Sequence, residues 1–213
     1  DQIGNRAFGE RIADLAEFEA VKAVQAVLLL APNIPLLFMG EEWGATQPFC
    51  FFTDFHDELA DAVREGRRRE FSKFPEFASE AARAHIPDPN ALSTFAASRL
   101  DWSVPEQPEH AAWLDYVRGL LRLRHDTVAP RLAGIGGHAG ESTLVGEQGL
   151  QVAWTLGDGA RLVLVANLGT EPQGGFAVPA GELIFATREG LLEELDQARL
   201  PGWSIAWFLA RRS

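Results

Sequence analysis

The sequence contains a single cysteine, Cys50, and a single methionine, Met39, among 213 residues. One cysteine excludes an internal disulfide bond and any metal site built from several cysteine ligands. It is also the cysteine usage expected in a reducing cytoplasm, which we take as the expected location. The first residue is Asp1 and not a methionine, so we expect these 213 residues to be a piece of a longer chain.

Long hydrophobic runs are missing as well. The longest apolar stretch, residues 27–39, is interrupted by Pro32, Asn33 and Pro35 and is too short to span a bilayer. The start of the chain has no basic segment followed by an apolar core, which a secretory signal would require. We therefore expect no membrane partner.

Basic residues are in the minority, with 19 Lys and Arg against 30 Asp and Glu and a formal net charge of −11. Most of such a surface would repel a polyanion, so nucleic acid is not expected as a partner. The one basic cluster, Arg64 with residues 67–69, is flanked by Glu65 and Glu70. Alternating charges on a helix favour a solvent-exposed face over a phosphate site.

The histidines lack the close helical spacing that binds zinc, and we interpret each of them as a surface or capping residue. They are His56, His85, His110, His125 and His138. No zinc site is therefore expected, and neither metal-binding residues nor a cofactor is assigned.

The first part of the chain alternates helical and strand patterns. With 46% apolar residues the chain can bury a core. Apolar residues recur every three or four positions from Ile12 to Leu28, which predicts an amphipathic helix that ends before Pro32. The apolar run Ile34–Met39 predicts a buried parallel strand closed by Gly40. Further helices are predicted over residues 57–74, 78–84 and 106–125, with a loop at residues 87–90.

Beyond Pro130 the chain becomes rich in glycine and in short runs with strand propensity, which predicts a second domain. Residues 150–155 and 161–166 flank Gly157-Asp158-Gly159, a hairpin signal. Other strands are predicted over residues 143–146, 175–178, 182–186 and 203–209, and a short acidic helix over residues 191–198. This pattern indicates a small antiparallel sandwich.

Four segments carry a resemblance to a known family: residues 1–6 (DQIGNR), 35–44 (PLLFMGEEWG), 52–54 (FTD) and 98–102 (SRLDW). In order and spacing they resemble α-amylase-like glycoside hydrolases, and within that family they are most similar to malto-oligosyltrehalose trehalohydrolases. Residues 71–74 and the loop at 86–89 support the closer similarity. The resemblance covers nearly the whole chain, although the part after Pro130 is similar only in general character.

The resemblance implies an α/β part followed by an all-β part. Residues 1–130 would be the C-terminal portion of a (β/α)8 TIM barrel, and residues 131–213 a small antiparallel β-sandwich domain. Residues 12–30 would form the seventh barrel helix, residues 34–39 the eighth strand, and the helix that ends near His125 the last helix. Such barrels carry their active site at the C-terminal ends of the strands, where Asp1 and residues 40–43 would lie.

The resemblance also implies a reaction. Retaining enzymes of this kind use one carboxylate as nucleophile and one carboxylic acid as general acid and base. The family adds an aspartate after the seventh strand, which binds sugar hydroxyls and favours the distorted ring of the transition state. Asp1 has that position in the motif. The nucleophile and the acid/base lie on earlier strands and are absent from this chain, so we expect the isolated chain to be inactive.

Several residues beside Asp1 are candidates for substrate binding. Gln2 is the strongest, because an amide both donates to and accepts from sugar hydroxyls. Arg6 is a weaker candidate, with an internal ion pair as the alternative, and Asn5 can equally be a turn or capping residue. Trp43 can stack on a sugar ring or simply pack at the barrel rim. The other tryptophans are assigned to cores or domain contacts: Trp102, Trp113, Trp154, Trp203 and Trp207.

Glu41 and Glu42 could suggest an acid and base pair. Adjacent residues in an extended segment point in opposite directions, however, so that the two carboxyl groups would not face one bond. We expect one of them to anchor barrel loops through hydrogen bonds.

The function implied is release of trehalose from malto-oligosyltrehalose by cleavage of the α-1,4 bond next to the trehalose end. Gln2 and the Glu41-Glu42-Trp43 pattern favour it. The alternatives are glycogen branching or another α-glucan-active enzyme, and a non-catalytic module that binds glucan or supports the barrel. The expected partners are malto-oligosyltrehalose or a related α-glucan, and the missing N-terminal part of the same enzyme.

Overall fold

The computed structural model of the protein describes residues 3–211. These residues divide into two units, and each is described by itself. The first unit consists of Leu37–Leu114 together with the described residues before Glu17. The second consists of Glu17–Leu36 and the described residues from Asp115 onward.

The helices lie mostly in the first two thirds of the chain. In chain order they are α1 (Ile12–Leu15), α2 (Phe18–Leu30), α3 (Asp57–Phe71), α4 (Glu80–Ala84), α5 (Leu92–Ala97), α6 (Pro108–Leu123) and α7 (Leu191–Asp196). A π-helical segment, Arg124–Val128, continues α6, and 3₁₀ turns cover Glu41–Trp43, Pro75–Phe77 and Ala129–Arg131.

Helix α3 shows the charge pattern that stabilises a helix. Asp57 and Glu58 occupy its first turn, and Arg68 and Arg69 occupy its last. Each pair has the sign opposite to the partial charge of the helix end beside it. The prediction of a helix here is confirmed, although α3 ends at Phe71, three residues earlier than expected.

The helix predicted from Ile12 onward is interrupted. Ala16 and Glu17 have extended backbone angles and separate α1 from α2. Most helical stability in proteins comes from packing of an apolar face. α1 buries no residue, and Ile12 and Leu15 are half exposed, so α1 has no packed apolar face that would stabilise a longer helix.

The run Ile34–Met39, predicted as a buried parallel strand, forms no strand among the described residues. Ile34 and Leu36 are 91% and 84% exposed, and the run pairs with no other described strand. A parallel strand depends on backbone hydrogen bonds to its neighbours, which an apolar pattern cannot supply by itself. The run ends in a turn, in which the amide of Glu41 donates to the carbonyl of Phe38 at 2.9 Å.

The second unit contains an antiparallel sheet with the strand order β1-β2-β3-β7-β5, and a separate two-stranded ribbon of β4 and β6. The strands are β1 (Gly140–Val145), β2 (Gly149–Thr155), β3 (Arg161–Asn167), β4 (Gln173–Gly174), β5 (Glu182–Ala186), β6 (Arg199–Leu200) and β7 (Ser204–Ala210). The predicted hairpin is confirmed: β2 pairs with β3, and the amide of Leu156 donates to the carbonyl of Ala160 at 2.8 Å.

The strand predicted at residues 175–178 is wrong. Gly175 has a φ of 96°, which ends β4 at Gly174. The amides of Gly175 and Phe176 both donate to the carbonyl of Ala198, at 2.8 and 3.2 Å. Phe176 is thereby directed into the core of the sheet domain.

The central strands β3 and β7 of the five-stranded sheet are buried on both faces. On one face Val165 and Phe208 pack with Leu191 and Leu195 of α7 and with Leu200 of β6. On the other face the buried residues are Leu162, Leu164, Trp207 and Leu209. The layer that covers the first face is thus a helix and a two-stranded ribbon, where a second full sheet was expected.

The second unit also fixes the end of α2 through a buried arginine. The guanidinium of Arg124 donates to the carbonyls of Leu29 and Ala31 at 3.0 and 2.6 Å, and to that of Asn33 at 2.7 Å. Tyr116 donates its hydroxyl to the carbonyl of Lys22 at 2.8 Å. Burial raises the pKa of Tyr116, with a smaller effect of Glu19 in the same direction.

Within residues 3–211 no helix is both long and apolar enough to cross a membrane. The same described range contains no group of three or more His, Cys, Asp or Glu side chains placed to hold a metal ion.

Candidate functional site

The predicted site has two parts, the N-terminal segment (residues 3–9) and the 40s loop (Met39–Ala45), both in the first unit. Asp1 and Gln2, the first two predicted site residues, lie outside the described residues.

The N-terminal segment is a series of turns fixed against residue Phe49. Gly9 has a φ of 71°, and a Cβ atom there would lie 2.5 Å from the carbonyl carbon of Phe49. Only glycine allows this approach. The amide of Phe49 donates to the carbonyl of Gly9 at 2.8 Å, so the end of the segment has a defined position.

Arg67 of α3 binds the middle of the N-terminal segment. Its Nη2 donates to three consecutive carbonyls, those of Gly4 at 3.2 Å, Asn5 at 3.0 Å and Arg6 at 2.9 Å. The Arg67 guanidinium carbon lies 5.0 Å from the ring centre of Phe51 and 4.8 Å from that of Phe71. Burial lowers the pKa of Arg67, and the charge of Glu70 opposes that shift.

This position of Arg67 corrects the interpretation of the basic cluster as a solvated face. Arg64 and Arg68 agree with that interpretation, since Arg64 pairs with Asp61 and Asp88, and Arg68 pairs with Glu65. Arg67 is instead buried. The sequence held a signal for this, because Arg67 lies four residues from both Val63 and Phe71, on the apolar edge of the helix.

Arg6 itself is largely exposed, and its Nε lies 3.5 Å from a carboxylate oxygen of Glu10. This is the ion pair considered as the alternative to a sugar contact. Such a pair between exposed groups is weak, about 0–1 kcal/mol, and does not prevent the side chain from turning to a ligand. Its substrate role stays a prediction.

The 40s loop places Glu41 and Glu42 in a 3₁₀ turn, so the expectation of an extended segment is wrong here. Both carboxylates accept hydrogen bonds from nearby backbone amides, Glu41 from Phe38 at 2.8 Å and Glu42 from Gly40 at 2.9 Å. Gly40 has a φ of 89°, which permits the tight turn. Both glutamates thus support the loop.

Arg11 is a second buried arginine, and it holds the start of the 40s loop. Its Nη1 donates to the carbonyl of Met39 at 3.1 Å, and its Nε donates to that of Gln47 at 2.7 Å. Burial lowers the pKa of Arg11, while the charges of Glu41, Asp14 and Glu42 oppose that shift. The sequence patterns gave no indication of this role.

Trp43 is buried, with only 4% of its surface exposed. Its ring centre lies 4.9 Å from that of Trp102, and its backbone carbonyl accepts a hydrogen bond from Nδ1 of His110 at 2.8 Å. His110 is thus a buried residue, and its assignment to the surface is wrong. In this arrangement Trp43 packs, and its contact with a sugar stays a prediction.

Trp102, assigned to a core or a domain contact from the sequence, has an exposed side chain. It is 72% exposed and rests with one side against Trp43. It lies in a turn after α5, where the Asp101 carboxylate accepts from the amide and hydroxyl of Ser103 at 2.9 and 2.6 Å. An exposed indole beside this loop is an aromatic surface that the sequence patterns did not single out.

Phe49 contacts the N-terminal segment and also Phe38, the residue just before the 40s loop. The ring of Phe49 lies edge-on to that of Phe38, with ring centres 4.8 Å apart, and next to Gly4, where a Cβ would meet it at 3.4 Å. The two candidate residues have different partners: Arg6 pairs with Glu10, and Trp43 packs against Trp102.

A known protein family matches the sheet domain of this chain. Residues 137–207 match a family described as "Domain of unknown function (DUF3459)". This range begins just before β1 and includes most of β7.

Named relatives cover almost the whole chain. A malto-oligosyltrehalose trehalohydrolase of Deinococcus radiodurans is 40% identical over 95% of this chain. The resemblance to malto-oligosyltrehalose trehalohydrolases is confirmed. Proteins of the same name from Brevibacterium helvolum and Mycobacterium tuberculosis are each 33% identical over 97% of the chain. The chain spans 33–34% of the length of these curated relatives.

Solved structures agree with this similarity. A protein from Salmonella typhimurium, provisionally described as an α-amylase, is 39% identical and superposes with a TM-score of 0.86 over 99% of this chain and 34% of its own. An isomaltulose synthase of Erwinia rhapontici has a TM-score of 0.53 at 16% identity over 91% of this chain and 38% of its own, which shows the fold alone. A helix-rich part followed by an antiparallel sheet domain is thus shared with α-amylase family structures.

Proposed function

We propose that this chain is the C-terminal part of a retaining α-glycoside hydrolase that releases trehalose from malto-oligosyltrehalose. The observation that carries the proposal is 40% identity over 95% of the chain to a malto-oligosyltrehalose trehalohydrolase. In this proposal residues 1–130 complete a (β/α)8 barrel, and residues 131–213 form its C-terminal β-domain. The same proposal places the longer protein in the reducing cytoplasm.

Asp1 has the role of a supporting carboxylate. Its oxygens accept hydrogen bonds from sugar hydroxyls and favour the distorted ring of the oxocarbenium-like transition state. It neither attacks the anomeric carbon nor transfers the proton. The nucleophile and the acid/base come from earlier strands of the longer protein.

Gln2 and Arg6 are the proposed sugar contacts beside Asp1. The Gln2 amide donates to one hydroxyl and accepts from another. The Arg6 side chain is exposed, so it can exchange Glu10 for a hydroxyl at little cost. For Trp43, the packing on Trp102 favours support of the loop, and its substrate contact is tested by Trp43→Phe, which keeps the aromatic ring.

The isolated 213-residue chain is proposed to be inactive. The exposed apolar side chains of Ile34 and Leu36 support this, because the remaining strands of a complete barrel would cover them. A purified chain with a mass of 23.3 kDa should therefore release no sugar from malto-oligosyltrehalose. Turnover by a sample of that verified mass would refute this part of the proposal.

The test of substrate class is a comparison of products. The complete protein that contains this sequence is incubated with malto-oligosyltrehalose and, separately, with amylose. We expect free trehalose from the first and much slower hydrolysis of the second. New α-1,6 branches in amylose would instead support the branching enzyme. A complete protein that binds glucan without any turnover would support the non-catalytic module, and absence of trehalose would refute the proposal.

A further inference from the structure

We propose that Arg67 is a positioning residue for the proposed substrate-contacting segment: it fixes the backbone of residues 4–6, which follow Asp1 and Gln2 closely in the sequence. This inference rests on the proposed function. Arg67 itself touches no substrate.

The geometry at residues 4–6 depends on a positive charge. Nη2 of Arg67 carries two hydrogens and can only donate hydrogen bonds. Three consecutive carbonyl oxygens nevertheless lie within 3.2 Å of it. Three carbonyls directed to one point repel one another unless a cation lies between them. The φ of 84° at Gly4 contributes to the turn that brings them together.

The same guanidinium group also packs against two aromatic rings, those of Phe51 and Phe71. Phe71 in turn packs with Ala7 and Ile86 in a small buried cluster. The arginine therefore transmits the position of a 15-residue helix, α3, to a turn that begins two residues after Gln2.

Loss of this contact should act on the transition state more than on substrate binding. Misplacement of a catalytic group by about 1 Å can cost on the order of 10²-fold in rate. In the complete protein we expect Arg67→Met to lower kcat for trehalose release by about 10²-fold, with KM changed by less than about threefold. Arg67→Lys keeps the charge on a shorter stem and should restore part of kcat.

The matched control is Arg69→Met, which removes an exposed arginine from the same helix and should leave kcat within about twofold. A double-mutant cycle separates positioning from general stability. If Arg67 acts through Asp1, Arg67→Met should add little to the loss caused by Asp1→Asn. Fully additive losses would overturn the inference.

A second measurement does not depend on activity. Hydrogen–deuterium exchange in residues 3–9 of the complete protein should be faster in Arg67→Met than in Arg69→Met, at a temperature where circular dichroism shows both variants folded. Equal exchange would overturn the inference, as would full kcat in Arg67→Met. Absence of trehalose release by the unmutated protein would instead refute the proposed function, and the exchange experiment would still decide whether Arg67 holds the segment.

Discussion

Removal of Arg124 is the substitution with the clearest expected effect on stability. Arg124→Met keeps a side chain of similar length but deletes the donors to the carbonyls of Leu29, Ala31 and Asn33. Hydrogen bonds to a charged group contribute about 1.5–3 kcal/mol each, and a buried carbonyl left without a donor costs about 1–3 kcal/mol. The bonds share one guanidinium and are not additive, so we expect a loss of about 3–5 kcal/mol.

Urea unfolding followed by tryptophan fluorescence measures this effect. Trp154 and Trp207, whose ring centres are 5.6 Å apart, report on the same unit. With an m value of about 2 kcal/mol/M, the unfolding midpoint of Arg124→Met should fall by about 2 M. Arg122→Met, an exposed arginine of α6, is the control and should change the free energy by less than about 0.5 kcal/mol. Equal midpoints for the two variants would refute the reasoning.

Two further predictions concern ionisable groups. Tyr116 is the only tyrosine, so absorbance at 295 nm reports its ionisation alone. Because burial raises its pKa, the unfolded chain loses the phenolic proton first, and the free energy of unfolding should fall as pH rises above about 10. A Tyr116→Phe variant with the same pH dependence would contradict this. Burial also raises the pKa of the Cys50 thiol, so iodoacetamide at pH 8 should alkylate the native protein far more slowly than the urea-unfolded protein, and equal rates would contradict that burial.

Elements with short-range signals were predictable from the sequence. The hairpin between β2 and β3 follows from Gly157-Asp158-Gly159, and strand β5 was predicted at the residues where it is found. Helix α3 likewise follows from its own charge and apolar pattern. In each case the residues that predict the element lie within about 15 positions of one another in the sequence.

Features that depend on distant residues were not predictable. The apolar run Ile34–Met39 has a strand pattern, but a strand also needs partners, and the described chain offers none. Arg67 binds carbonyls 61 to 63 residues away, which no local charge pattern reveals. Arg11 likewise reaches Met39, 28 residues on. Buried arginines are satisfied by whichever carbonyls the fold brings to them.

The resemblance found in the motif segments was the part of the sequence most informative about function. Gly4, Gly40 and Gly44 in these segments have positive φ angles, which glycine adopts more readily than other residues. Composition alone gave only a globular acidic protein. The site's supporting contacts, those of Arg11 and Arg67, required the structure.

The role of Asp1 is the central claim, and one measurement tests it most directly: trehalose release from malto-oligosyltrehalose by the complete protein and by its Asp1→Asn variant. Asparagine keeps the size of the side chain but removes the charge that stabilises the transition state. We predict a fall in kcat on the order of 10²-fold or more, with a much smaller change in KM. An Asp1→Asn enzyme that releases trehalose within a few-fold of the unmutated rate would contradict the account.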